Sequence, residues 1–379
     1  MKIENLTYYD NKWNFENESI DNKDDVDLVL LFGNTDYLSS DTNYYALLRK
    51  EYLNAKIIGS SSSGNVLGSK LSEHKIVATA ISFDKGFIKT NIIDFENNDD
   101  LNIVTQKLVE NLPDENLKSI FIISDGLNMN GTILAKNVNQ IKPNVLITGG
   151  LAGDDARFEK TLIIANDEIK DKRIVAIGFY GESLHVSSGC YSGWDEFGAQ
   201  RMITKSVGNI VYEIDNKPAL ELYKRYLGEE SQNLPSSGLR FPLSIKKDEN
   251  VNNGTIRTLL AIDEDTQSMT FAGDVPEGYI AKLMKTDIDG LIDGSQLAAK
   301  NIIQANDKTA LGLVVSCVGR KLVMKDLTDE ELEIIEDTVG KNVHLTGFYS
   351  YGELSPFSQE VKTCKLHNQT MTLTVIYED

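Results

Sequence analysis

The chain has 379 residues, 41% hydrophobic and 25% charged, the composition of a soluble globular protein long enough for two or three domains. Lys and Arg number 38 against 57 Asp and Glu, a formal net charge of −19. A surface this acidic repels phosphate backbones and anionic lipid, which argues against nucleic acid and membrane as partners.

The first 25 residues are rich in Asn, Asp and Glu and hold no apolar stretch, so no secretory signal is expected. The longest apolar runs, such as 29–32 and 313–315, fall far short of the ~20 residues of a membrane span. Cys190, Cys317 and Cys364 are scattered, with no Cys-x-x-Cys pair, so neither a disulfide framework nor a thiolate zinc site follows. A cytoplasmic protein without membrane insertion is expected.

Three segments share one order of elements. The first opens on the apolar run 26–32, turns at Gly33-Asn34-Thr35-Asp36, continues as a helix over 44–53 and closes on Ile57-Ile58-Gly59-Ser60-Ser61-Ser62-Ser63-Gly64. The second opens on 120–123, continues as a helix over 132–141 and closes on Ile147-Thr148-Gly149-Gly150-Leu151-Ala152-Gly153-Asp154. Each of these two units is followed by a further strand, 77–83 and 174–179. A different pattern fills the middle. Residues 201–214 alternate like a hairpin turning at Gly208-Asn209, a helix is expected over 218–227, and the turn-rich stretch 228–242 reads as a linker. Strands over 258–262, 268–272 and 279–284 and a helix over 291–304 come next. The third unit opens on 313–318, continues as a helix over 329–339 and closes on Leu345-Thr346-Gly347-Phe348-Tyr349-Ser350-Tyr351-Gly352-Glu353, with a last strand over 371–376. Strand, helix and strand at this spacing predict parallel βαβ crossovers, and near-continuous apolar strands fit sheets covered on both faces. The expected fold is α/β, with two domains built from repeated βαβ-type units and additional antiparallel strands.

Loops leaving the carboxyl ends of parallel strands are where open α/β sheets bind ligands. The candidate ligand-binding residues are therefore Ser60, Ser61, Ser62 and Gly64 in the first loop, Gly149, Gly150, Ala152 and Asp154 in the second, and Tyr351, Gly352 and Glu353 in the third. His367 and Asn368 join them from the polar cluster His367-Asn368-Gln369-Thr370. Glycines and small side chains let backbone N–H groups approach a ligand, while Asp154 and Glu353 supply acceptors. Neither a P-loop nor a Gly-x-Ser-x-Gly elbow is present. The four histidines, His74, His185, His344 and His367, lack metal-site spacing. Cys317 lies in an apolar strand and reads as an inert thiol.

Several of these stretches resemble one known family. Thr148 to Asp154 with Arg157-Phe158-Glu159-Lys160-Thr161, the Ile57 to Gly64 loop, Ser192-Gly193-Trp194, and Asn209 to Asp215 with Pro218-Ala219-Leu220 resemble the N-terminal FIST (F-box and intracellular signal transduction) domain. Phe271 to Gly278, Cys317-Val318-Gly319-Arg320, Gly347 to Glu353 and His367-Asn368-Gln369-Thr370 resemble its C-terminal counterpart. The resemblance implies a FIST N-like domain over 1–228 and a FIST C-like domain over 229–379. It implies a sensory module binding a small polar ligand, amino acids having been suggested, between its domains. No output domain is expected in the chain, so signalling would pass through a separate protein such as a histidine kinase or a cyclic-dinucleotide enzyme. No cofactor is expected on the leading reading. Some relatives resemble haem-containing nitric-oxide sensors, for which His367, His185 or His344 would be the axial ligand. A third reading is an enzyme whose acid–base pair is His367 and Glu353, with Cys317 or Ser61 nearby.

Overall fold

The computed structural model describes every residue except 73–75, 251–253, 304, 306 and 358–361, so His74 and the expected end of a helix at Gln304 lie outside the described residues. The three units are real, and each builds the centre of its own sheet. In the first, Leu28–Gly33 and Lys56–Ser61 pair in parallel around the helix Tyr44–Glu51. In the second, Leu117–Ser124 and Leu146–Leu151 do so around Gly131–Ile141. In the third, Ala310–Cys317 and Val343–Ser350 do so around Val318–Met324 and Thr328–Val339. The strand that follows each unit returns antiparallel to its first strand: Ile76–Ser82, Arg173–Tyr180 and Met371–Glu378. An outer strand that precedes each unit in the chain completes that side: Lys2–Tyr9, Phe87–Asp94 and Leu184–Tyr191.

The other side of each sheet is borrowed. Asn65–Leu67, which follows the first unit's crossover, pairs with Val343–Ser350 of the third. Ile163–Ala165, which follows the second, pairs with Lys56–Ser61 of the first. Gly352–Ser355, which follows the third, pairs with Leu146–Leu151 of the second. The units thus exchange strands in a closed cycle. Apolar residues on the inner faces of all three sheets, among them Leu30, Phe32, Ile123, Leu313, Val315 and Phe348, form one shared core, where Phe32 stacks on Phe348 with centroids 4.9 Å apart. Helices cover the outer faces, burying Tyr44 and Leu48, Leu134 and Val138, and Leu332 and Ile335. Burial on both sides is the reason these strands read as unbroken apolar runs.

Between Leu184–Tyr191 and the helix Ile288–Lys300 the chain leaves this body and forms a smaller antiparallel unit. Its long strand Asp195–Val207 pairs with Ile210–Ile214 and with Ile280–Lys285, and Leu220, Met269 and Phe271 fill its own core beneath the helix Ala219–Leu227. The stretch 228–242 forms two 3-10 turns, Gly228–Asn233 and Ser236–Arg240, with Ser237 and Gly238 buried. The small unit docks on the body through hydrogen bonds from Arg257 Nη1 to Leu366 O (3.1 Å), Gln369 Nε2 to Leu239 O (3.1 Å) and Asn130 Nδ2 to Asp274 Oδ1 (3.2 Å). No helix among the described residues is long and apolar enough to cross a membrane.

Candidate functional site

The three strand-end loops meet and hydrogen-bond one another around the cycle. Ser63 N donates to Tyr349 O (2.9 Å), Gly153 N to Ser61 O (3.3 Å) and Tyr351 N to Leu151 O (3.0 Å). Upstream, Gly59, Gly149 and Gly347 face Leu31, Ile122 and Val314 across their parallel pairs. A Cβ added at any of them would fall 1.7–1.9 Å from the partner's carbonyl oxygen, so only glycine permits that approach. The rest of the first loop is equally occupied. Ser61 Oγ accepts from Leu162 N (2.9 Å), Ser62 Oγ donates to Asn65 Oδ1, and Gly64 O accepts from Tyr349 N (2.8 Å). Ser60 is buried, its hydroxyl without a partner among the described residues. A Cβ at Gly150 would strike Val315 at 2.6 Å, and Ala152 N donates to Ser124 O.

Asp154 is buried at the second loop. Its carboxylate accepts from Phe158 N (2.9 Å), Glu159 N (2.8 Å), Lys160 N (2.8 Å) and the Tyr351 hydroxyl, and so shapes the 155–161 turn. Glu353, also buried, accepts from Ser350 Oγ (2.8 Å), Thr370 N (3.1 Å) and Thr370 Oγ1 (2.9 Å). Burial pushes its carboxyl up to about 7, against the pull of those hydrogen bonds. Glu353 and His367 are register partners in Gly352–Ser355 and Lys365–His367, but no hydrogen bond joins them. His367 Nε2 is given to Ser355 O (2.9 Å), and Nδ1 has no partner among the described residues. Burial pushes the Cys317 thiol well above its ordinary range, so thiolate chemistry has no support there.

Two cavities flank the polar cluster, and consecutive residues enter opposite ones. Asn368 enters a cavity of about 320 Å³, and His367 enters another of about 420 Å³. The first lies where three parts of the chain converge: Phe158 from the second unit, Leu239 and Thr258 from the small unit, and Val318, Tyr351 and Asn368 from the third. Phe158 stacks flat on Tyr351, centroids 4.4 Å apart at 16°. Asn368 is fully buried, and both its Oδ1 and its Nδ2 lack partners among the described residues, as does Thr258 Oγ1. A buried amide normally has both ends satisfied, so a ligand here would find the carbonyl and N–H groups of Asn368 and a Thr258 hydroxyl able to donate or accept. Of the residues singled out in the sequence, the structure brings Cys317, Tyr351 and Asn368 to this cavity and His367 to its neighbour, while Gly352 packs on Leu366 and Glu353 is enclosed behind them. Thr258 escaped notice because one threonine in an alternating strand has no distinguishing pattern. Phe158 and Trp194 stood only as parts of family-like stretches.

For haem, the histidines offer little. His185 lies at the surface, stacked on Tyr377 and paired with Asp379, and His344 is half-buried with no cavity beside it among those described. His367 has a nitrogen without a partner among the described residues, but its cavity is lined by the Glu196–Lys246 ion pair (2.7 Å) and Ser244 as well as by Trp194, Ile256 and Met284, and so is not a wholly apolar slot. The residues do not fit a porphyrin. Among the described residues no cluster of three or more His, Cys, Asp or Glu could hold a metal ion.

The family model of the FIST N domain matches residues 27–217 and that of the FIST C domain matches 219–356, together most of the chain. The chain belongs to the FIST family. FIST domains are associated with small-ligand sensing in signal transduction. The boundary between the two matched regions falls inside the small antiparallel unit, just before the helix Ala219–Leu227. Similar proteins include an uncharacterized protein of Mycobacterium tuberculosis, 23% identical over 62% of this chain, and one of Methanocaldococcus jannaschii, 26% identical over 61%. The matches span 62% and 48% of those proteins' own lengths. Among solved structures, this FIST protein is similar to a cyanuric acid hydrolase from A. caulinodans (7% identity, TM-score 0.36, 94% of this chain and 91% of that one). A chorismatase gives 6% identity and a TM-score of 0.34, with 99% and 98% covered.

Proposed function

We propose that this FIST protein is a sensor module whose ligand occupies the cavity of about 320 Å³ between the three-unit body and the small antiparallel unit. The observation that carries this reading is the Asn368 amide, wholly buried and unsatisfied at both ends. The complementary ligand is a small polar molecule with a donor and an acceptor side by side, such as the ammonium and carboxylate of an amino acid. The Phe158–Tyr351 stack and Val318 take its apolar part. Because three separate chain regions line the cavity, occupancy holds the small unit in one position on the body. That position is the signal, passed in the cytoplasm to a separate protein such as a histidine kinase or a cyclic-dinucleotide enzyme. Supporting the compartment are three cysteines that are all unpaired and buried.

The test is thermal unfolding of the protein against the twenty amino acids. A true ligand at 100 times its Kd adds about 2.7 kcal/mol. Asn368→Ala should remove that gain while leaving the ligand-free protein folded. No stabilisation by any of the twenty would sink the amino-acid reading.

A further inference from the structure

Residue 367 points the other way from residue 368, and its cavity is built differently. The His367 ring is 1% exposed. Its Nε2 lies 2.9 Å from Ser355 O, and since a carbonyl only accepts, Nε2 carries the hydrogen and Nδ1 is left as a lone pair. Burial keeps the ring neutral, pushing its pKa down to about 3. In the same cavity Trp194, 7% exposed, holds its indole N–H without a partner among the described residues. One buried acceptor and one buried donor, neither with a partner among the described residues, thus belong to side chains that line the same space of about 420 Å³. Trp194, Ile256 and Met284 give it apolar walls, and Phe357 meets the His367 ring edge-on at 4.5 Å. The charges present are already matched, Glu196 accepting from Lys246 at 2.7 Å and from Ser244 Oγ at 2.8 Å.

We infer that this cavity is a second binding site, for a small uncharged polyhydroxylated molecule of monosaccharide size. One of its hydroxyls donates to His367 Nδ1, and another of its oxygens accepts from Trp194 Nε1, while its C–H face packs on the aromatic wall. A hydroxyl suits both partners because it donates and accepts. A carboxylate only accepts, and would leave Nδ1 unpaired. Matched wall charges also give an ion no net attraction. The inference stands on residues that the amino-acid cavity does not use, so either can fail alone.

The experiment is calorimetric titration of the full chain with glucose, galactose, ribose and myo-inositol, paired with ¹⁵N NMR of histidine-labelled protein. Saturable binding of at least one compound is expected, with the His367 Nδ1 resonance shifting as the lone pair gains a donor. Trp194→Phe, which keeps a ring and removes the N–H, should weaken that binding at least tenfold, and His367→Phe likewise. Asn368→Ala should leave it unchanged. Absence of saturable binding by all four compounds overturns the inference. So does a Nδ1 resonance that stays fixed at saturation, a measurement needing no variant to fold. Loss of binding in Asn368→Ala would place the molecule in the other cavity and also overturn it.

Discussion

The first and third strand-end loops share one serine-centred device and differ in the side chain that closes it. Ser62 Oγ donates to Asn65 and accepts from Gly64 N (3.3 Å), and Ser350 Oγ donates to Glu353 and accepts from Gly352 N (3.2 Å). Where the first loop carries a neutral amide, the third carries a buried carboxyl held by Thr370, next to the turn that opens onto both cavities. The second loop, one residue shorter, puts Asp154 near this position and surrounds it with donors. Conserving a crossing therefore leaves its electrostatics free to vary.

Replacing Asp154 is the severest way to break the comparison. Asp154→Ala leaves three backbone N–H groups and the Tyr351 hydroxyl without their acceptor. At about 1 kcal/mol net for each of these four hydrogen bonds, a loss on the order of 4 kcal/mol in urea denaturation is expected. Asn65→Ala, at the neutral loop, removes the acceptor of Ser62 Oγ and the donor to Ser72 O (2.9 Å), and should cost less.

Next comes pH. Folded Glu353 keeps its proton up to about 7, whereas an ordinary glutamate releases it near 4.5. Its contribution to stability is therefore full below pH 4.5, declines as pH rises and is gone above 7, a change on the order of 3 kcal/mol. Urea midpoints measured from pH 4 to 8 should fall less steeply in Glu353→Gln than in the parent. An unchanged slope would mean that Glu353 is ionised throughout.

Gly347→Ala should cost about 1–3 kcal/mol, because the new methyl group must displace Val314 O. Gly59→Ala and Gly149→Ala should match it, and a clear mismatch would show that the three crossings are not equivalent. The smallest effect is expected at Asn368. Removing an amide that satisfies nothing should shift unfolding by less than about 1 kcal/mol, while the ligand-induced gain disappears.

The three units were legible because their strands are buried on both faces, so that runs such as Leu28 to Phe32 and Ile120 to Ile123 carry a strong signal. The exchange between units was not. Asn65–Leu67 and Ile163–Ala165 are only three residues long, and their partners lie in other units, which no local periodicity can indicate. The same limit applies to the site. The polar cluster at His367 and Asn368 stood out in the sequence. That alternation sends the two side chains into separate cavities depends on the small unit, which supplies Thr258 to one and Ser244 and Ile256 to the other. The loop serines and glycines have the capacity to approach a ligand closely, but Gly59, Gly149 and Gly347 approach the first strand of their own unit, and the loops hydrogen-bond one another.

The cyclic strand exchange has a consequence for how the chain can be divided. A break at the boundary between the two matched family regions would leave a leading piece whose second sheet lacks Gly352–Ser355 and a trailing piece whose third sheet lacks both Asn65–Leu67 and Leu184–Tyr191. Each piece would expose a bare sheet edge shaped for a strand on the other. Neither would be an independent folding unit, and mixing them should restore the whole. Two fragments fused to separate baits would then report whether the baits meet.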